Sequence, residues 1–255
     1  MNVVIEGKQI SKVYGSGDSV ISALQQIDLT VMEGESVAVM GPSGSGKTTL
    51  LNILATIDSP TSGEVVIDGQ NILNMNEEQL SSFRRDRLGF VFQDYNLLDT
   101  LTVKENIVLP LAIAKMNVGQ LEQRASEVAV RFGIQSILDK YPYQISGGQK
   151  QRTAASRAIV TKPSLLLADE PTGALDSKSA TDFLESLKEL NEQEGTTVLM
   201  VTHDAFAASY CKRVIFIKDG SLFTELVKGS QSRRDMFKKV LDVLAVLGGG
   251  AIDAV

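Results

Sequence analysis

Residues 36–48 read Ser-Val-Ala-Val-Met-Gly-Pro-Ser-Gly-Ser-Gly-Lys-Thr, an apolar β-like run that meets a glycine-rich stretch and then a lysine. From Thr48 the apolar residues of TLLNILATI recur at helical spacing, so the chain must pass from strand through a tight loop into a helix. Glycine enters left-handed dihedrals at little cost, and a loop built on Gly41, Gly44 and Gly46 can turn successive backbone N–H groups inward. Those groups, at the positive end of a helix, form a nest for an anion. Gly41–Thr48 fits GxxxxGK[ST], in which Lys47 reaches the terminal phosphates of a nucleotide and the Thr48 hydroxyl takes Mg²⁺. Gly41, Ser43, Gly44, Ser45, Gly46, Lys47, Thr48 and Thr49 are the candidate phosphate contacts.

The rest of the chain supplies a setting for that loop. Short β-like runs lie at Val3–Ile5, Ile27–Val31 and Glu64–Ile67, and residues 74–161 read as mostly helix. Beyond Pro163 an apolar run ends in Asp169-Glu170, a second (Thr197–Val201) ends in Thr202-His203, and a third (Val214–Ile217) leads to the turn Asp219-Gly220. A helical segment, Lys178–Gln193, separates the first two, as in a largely parallel sheet. An aspartate at a strand end can hold the Mg²⁺ hydration shell, and an adjacent carboxylate can orient and deprotonate an attacking water, which makes Asp169 and Glu170 a candidate pair. Ser146-Gly147-Gly148-Gln149 opens another helical stretch, with Ser146 as its N-cap and two glycines exposing backbone N–H groups to an anion. This second anion site has no P-loop lysine, which suits closure over a nucleotide held by another subunit.

Composition narrows the partners. Against 31 acidic residues stand 25 Lys and Arg, a net charge of −6 over 255 residues, and a chain that neutralises phosphates along a duplex normally shows a basic face. No nucleic-acid partner is therefore expected. Cys211 is the single cysteine, so no internal disulfide forms; a reducing compartment and a packed, hydrophobe-like role fit it. The start, MNVVIEGKQISKVYG, lacks the basic and apolar regions of a secretory signal, and the apolar tail Leu241–Ile252 is broken by Asp242 and three glycines. Any membrane role is expected through a partner.

The order of these motifs resembles that of the ATP-binding subunits of ABC transporters over roughly residues 2–225. Tyr14 is similar to the adenine-stacking A-loop aromatic, Gly41–Thr48 to Walker A, and Gln93 in VFQD to the Q-loop. Ile145–Gln149 resembles the signature, with Ile145 in place of the usual Leu; Leu165–Glu170 resembles Walker B, Ala174-Leu175-Asp176 the D-loop, and His203 the switch histidine. The resemblance implies an α/β P-loop NTPase fold with a mostly parallel core sheet, an N-terminal antiparallel β subdomain and a helical subdomain at about 94–161. It implies an ABC ATPase domain over 1–228 and a C-terminal helical appendix, 229–255, with Phe237, Val240, Leu241, Leu244 and Leu247 at helical spacing.

The resemblance also implies the chemistry. The cofactors would be ATP and Mg²⁺, with Thr48, Gln93 and Asp169 toward the metal. Glu170 would be the base, Gln93 a sensor of metal and water, His203 a contact to the γ-phosphate, and Ser146, Gly147, Gly148 and Gln149 would complete the opposite subunit's site. The partners implied are a second copy, in a nucleotide-sandwich dimer, a transmembrane permease, and through it a sensor histidine kinase; the place is the cytoplasmic face of the membrane. VYGSGDSVISAL and DYNLLDTLTVKENIVLPL resemble the macrolide-exporter and lipoprotein-release branch, and DMFKKVLDVLAVLGGG resembles the exporter ATPases for bacitracin and antimicrobial peptides. The implied function is resistance to bacitracin-like peptides; the rival readings are lipoprotein release, macrolide export, or a soluble ABC protein switching on nucleic acid or ribosomes.

Overall fold

A computed structural model of the chain describes residues 2–15 and 19–247. It divides into two compact units, Met1–Asn74 with Leu199–Val255, and Met75–Val198. Residues 16–18 of the VYGSGDSVISAL segment and residues 248–255 of the C-terminal segment lie outside the described residues.

The first unit opens with two long antiparallel strands, β1 (Val3–Tyr14) and β2 (Ile21–Met32), paired from Ile5↔Val31 through Ile10↔Ile27 to Tyr14↔Ile21 with shifts of register between Gly7 and Ile10 and between Ile10 and Val13. Ile5, Ile10, Leu24, Ile27, Leu29 and Val31 are buried, while intervening polar residues such as Gln9, Lys8 and Asp28 face out. β3 (Ser36–Met40) is buried at every position and runs straight into the glycine-rich loop and α1 (Lys47–Leu54). β4 (Ser62–Ile67) pairs the other side of β1, and β5 (Gln70–Asn71) closes that antiparallel sheet in the order β2-β1-β4-β5.

The second unit begins with α2 (Glu77–Arg87), started by a capping box between Asn76 and Gln79, and passes directly into β6 (Leu88–Val91). Three helices follow, α3 (Val103–Ile113), α4 (Val118–Arg131) and α5 (Gly147–Ile159), the first and last opened by capping boxes of Thr102 with Glu105 and Ser146 with Gln149. β7 (Leu165–Asp169) lies parallel to β6, Leu88↔Leu165 to Val91↔Ala168, and α6 (Ser177–Glu194) runs from the Asp176 cap to Gly195. The expectation of a mostly helical middle therefore needs one correction. β6 is a four-residue strand set between Arg87 and the loop of Gln93, too short for periodicity to reveal.

After β8 (Thr197–Val201) and the short α7 (Ala205–Ala208), β9 (Arg213–Lys218) returns to the first unit and lies parallel to β3, Val37↔Arg213 to Met40↔Phe216. β10 (Ser221–Val227) folds back antiparallel on β9. Cys211 is buried beneath this region, and burial pushes its thiol up to about 12, so it behaves as a small packed hydrophobe.

The chain's last described element, α8 (Arg233–Leu247), packs on α7 in the first unit. Arg233 sits over the rings of Phe206 and Tyr210, 5.0 and 4.4 Å from their centroids. The buried stripe is Met236, Val240 and Leu247, whereas Leu241 is 44 % exposed. Of the expected stripe, Val240 and Leu247 are buried and Phe237 and Leu244 half-buried, but Leu241 lies outside and Met236, not among the expected residues, lies inside. Val240→Asp is expected to destabilise the chain by more than about 3 kcal/mol, because it removes a buried side chain and buries a charge. Leu241→Asp should change stability by no more than about 0.5 kcal/mol. Urea unfolding of the two variants checks which side of α8 is packed.

Candidate functional site

The first unit holds the phosphate loop. Gly41, Gly44 and Gly46 all have positive φ, and Gly46, at φ 101°, is the N-cap of α1. A Cβ there would meet the Ala23 carbonyl oxygen at 2.4 Å, so both dihedral and space require glycine. With Gly46 capping the helix, the first-turn amides of Lys47, Thr48 and Thr49 have no acceptor within the helix. The loop is pinned from behind: Ser45 N–H donates to the Pro42 carbonyl at 3.2 Å, and Gly220 N–H, at the β9–β10 turn, donates to the Ser45 carbonyl at 3.1 Å. Lys47 is buried, and its Nζ donates to the carbonyls of Gly41 and Pro42 at 2.9 and 2.8 Å, with Ser45 Oγ at 3.5 Å. Thr48, Ser43 and Gly44 lie exposed on the loop surface.

Tyr14 lies near this loop at the end of β1. Its hydroxyl donates to Asp58 Oδ2 at 2.7 Å and engages the Thr49 hydroxyl, while Lys12 Nζ bonds Asp58 Oδ1 at 2.6 Å and stands 4.9 Å from the Tyr14 ring centroid. Partial burial and the neighbouring Asp58 raise the phenol's pKa; burial pushes the Asp58 carboxyl up, but hydrogen bonds from Lys12 and Tyr14 outweigh it and hold the group below its usual range. Tyr14 is 41 % exposed, with its hydroxyl end fixed on Asp58. His203, exposed, follows β8: Thr202 N–H donates to the Val39 carbonyl of β3 at 3.1 Å, and Asp204 caps α7 through Phe206 N–H at 2.8 Å. The first unit therefore brings Tyr14 to Thr49 and hangs His203 beside the strand that feeds the loop.

The second unit holds the other expected residues. β7 delivers Asp169 at its end, and Glu170 follows at φ 44°, a left-handed conformation that costs a side-chain-bearing residue roughly 1–2 kcal/mol. Such outliers concentrate where a side chain must be aimed. Gly173 N–H donates to the Glu170 carbonyl at 3.0 Å, and Gln93 Nε2 lies 3.2 Å from where a Cβ on Gly173 would sit. Gln93 thus rests against the turn that follows Glu170. Gln151, fully buried on α5, donates from Nε2 to the Pro171 carbonyl at 2.7 Å and supports the same turn.

Ser146 caps α5 reciprocally with Gln149, Oγ accepting from Gln149 N–H at 3.4 Å and Ser146 N–H donating to Gln149 Oε1 at 3.0 Å. A Cβ on Gly148 would stand 2.7 Å from Ser179 Oγ of α6, so the start of α5 and the start of α6 approach too closely for any side chain. Ser179 Oγ in turn donates to Asp176 Oδ2 at 2.6 Å, the largest of the bonds that hold Asp176 below the usual carboxylate range. Asp58 and Gln151 escaped sequence reasoning. Asp58 pairs with Tyr14 from 44 positions away, and Gln151 shows only as a polar residue among small buried ones on α5.

The sequence model of the family described as ABC transporter matches residues 24–173. The chain is 52 % identical over 250 residues to the ABC transporter ATP-binding protein YxdL of Bacillus subtilis (strain 168), covering 98 % of this chain and 96 % of that protein. It is 52 % identical over 246 residues to the bacitracin export ATP-binding protein BceA of Halalkalibacterium halodurans, covering 96 % and 97 %. Among solved structures it resembles the dimeric post-hydrolysis state of the ATP-binding cassette MJ0796 bound to ADP and Pi, with a TM-score of 0.81, 42 % identity, and coverage of 88 % of this chain and 98 % of that one. The fold is accordingly that of a P-loop ATPase cassette, with parallel core strands, an antiparallel N-terminal sheet and a helical part.

Replacing Gly46 with Ala should strain the loop against the Ala23 carbonyl, and Lys47→Ala should strip the loop carbonyls of their cation. Both variants are expected to lose ATP affinity in calorimetric titration, and undiminished affinity in either would contradict the loop geometry described above.

Proposed function

The chain belongs to the ABC transporter family, and from that premise we propose that it powers a membrane permease that protects the cell against bacitracin-like antimicrobial peptides. It is an ATP-binding, ATP-hydrolysing subunit of that family. The observation that carries the finer reading is the match of nearly the whole chain, 96 % of it, to a bacitracin export ATP-binding protein. No helix among the described residues is long and apolar enough to cross a membrane, which agrees with attachment to the cytoplasmic face through the permease. A sensor histidine kinase acting through that permease belongs to the same reading.

In this reading Lys47 and the amides of residues 41–49 bind the β- and γ-phosphates, and Tyr14 stacks on the adenine with its edge held by Asp58. The donor chemistry fits Mg²⁺: Thr48 offers an exposed hydroxyl, Asp169 a carboxylate and Gln93 an amide oxygen, all hard oxygen ligands. When bound, the metal neutralises charge on the phosphates. Glu170 accepts the proton of the attacking water, and the left-handed backbone at this residue aims its carboxylate independently of β7. His203 contacts the γ-phosphate. Ser146 to Gln149, at the mouth of α5, meet the phosphates of a nucleotide carried by a second copy, since this helix end exposes backbone amides but has no P-loop lysine.

Glu170→Gln keeps size and polarity but cannot take a proton. Its turnover should fall by about 10²–10⁴-fold with ATP affinity retained, leaving an ATP-bound dimer visible by light scattering. Ser146→Arg places a bulky side chain at the start of α5 and should abolish ATP-driven dimerisation, and a dimer of normal stability in this variant would overturn the composite site. For the cargo, strains expressing the wild-type chain or Glu170→Gln at equal levels are compared on a panel including bacitracin. Higher susceptibility in the variant strain is expected; equal susceptibility to every peptide removes the resistance reading and leaves the ATPase standing.

A further inference from the structure

Arg157 lies in the third turn of α5, half-buried among Ala154, Ala155, Ala158 and Ile159. Its guanidinium donates to two successive backbone carbonyls of the loop that follows Gln93, from Nη2 to Tyr95 O at 2.9 Å and from Nη1 to Asn96 O at 2.5 Å. Burial alone lowers its pKa, and no carboxylate contributes. A cation held on carbonyls instead of on an acid fixes backbone geometry, because carbonyl dipoles stabilise it only when they point at it together.

The two residues it grips are the unusual part of the loop. Tyr95 and Asn96 are consecutive side-chain-bearing residues in the left-handed region, at φ 62° and 48°. Relaxing either toward ordinary dihedrals would swing its carbonyl away, so the fork and the strained pair depend on each other. The loop's other contacts lie to either side. Tyr95 Oη reaches the Ala174 carbonyl at 3.4 Å, and beyond the pair Leu98 is clasped by buried Asn106, its N–H donating to Oδ1 at 2.8 Å and its carbonyl accepting from Nδ2 at 3.0 Å. Gln93 stands two residues before this clamp, with its amide against Gly173 in the turn after Glu170.

We propose that Arg157 is a positioning residue for Gln93: by forking the Tyr95 and Asn96 carbonyls it sets the loop conformation that presents the Gln93 amide to the Glu170 turn. The same helix begins at Ser146 and bonds Pro171 through Gln151, so α5 carries a cap at one end and holds both loops along its length. The inference rests on the reading of Gln93 as a site residue.

The test uses the full chain with Arg157→Met, which keeps bulk and removes both donors, Arg157→Lys, which keeps charge without the fork, Gln93→Ala, and the double variant Gln93→Ala with Arg157→Met. ATP turnover, its KM and amide hydrogen exchange over residues 94–98 are measured. Arg157→Met is expected to lower kcat by about 10²-fold, the scale of a misplaced site group, with KM little changed, and to speed exchange in the loop. Arg157→Lys should recover only part of the loss, and it carries the test if the Met variant does not fold. In the Gln93→Ala background Arg157→Met should cost nothing further. Additive losses, or a changed KM with unchanged kcat, would overturn the proposal. If Gln93→Ala itself turns over normally, the reading of Gln93 fails, and unchanged exchange in Arg157→Met then overturns the clamp independently.

Discussion

A buried ammonium threaded under its own loop organises the first unit. Lys47 Nζ bonds the carbonyls of Gly41 and Pro42, which turns those oxygens inward onto the ammonium. The loop tolerates this inversion because its glycines accept positive φ, and it keeps the shape because the β9–β10 turn bonds Ser45 from behind. Everything before it has one geometric task. β3 is buried at all five positions, so the strand cannot slide, and it delivers Gly41 at a fixed height.

The second unit solves a different problem with similar means. It must hold side chains on three separate segments, after β6, after β7 and at the start of α5, and it does so with hydrogen bonds to backbone. Non-glycine residues in left-handed conformations, Glu170, Tyr95 and Asn96, mark the points where the chain departs from its preferred path. Each is answered by a neighbour: Gly173 N–H on Glu170, and the Arg157 fork on the other two. Strain and restraint are co-located, the pattern expected where side-chain direction matters more than local stability.

Much of this was legible in the order of residues. The strand, glycine-rich loop and helix around Gly41–Thr48, the strand ending at Asp169 and the helix capped by Ser146 are contiguous runs set by near neighbours, so these elements could be read directly. The lengths of β1 and β2 could not, because bulges at Gln9 and Gln26, φ 52° and 50°, break the alternation a strand is recognised by. β10 shows no buried side chain, and its apolar residues fall in adjacent pairs, Leu222-Phe223 and Leu226-Val227, without the alternation that marks a half-buried strand. On α8 the expected stripe holds at Val240 and Leu247, while docking on α7 buries Met236 and leaves Leu241 exposed, which the spacing of apolar residues does not decide. Asp58 with Tyr14, and Arg157 with its carbonyls, are joined across 44 and about 60 residues, and no local pattern connects them.

The burial of Cys211 reaches beyond packing. With its thiol buried and its pKa pushed up to about 12, Cys211 presents little thiolate to an electrophile at ordinary pH. A cysteine introduced on the surface, at Leu241 or at Tyr143 for instance, would therefore be chemically unique without any prior removal of native sulfur. The fold has in effect reserved thiol chemistry for whoever wishes to attach a spin label, a fluorophore or a cross-linker at a chosen point.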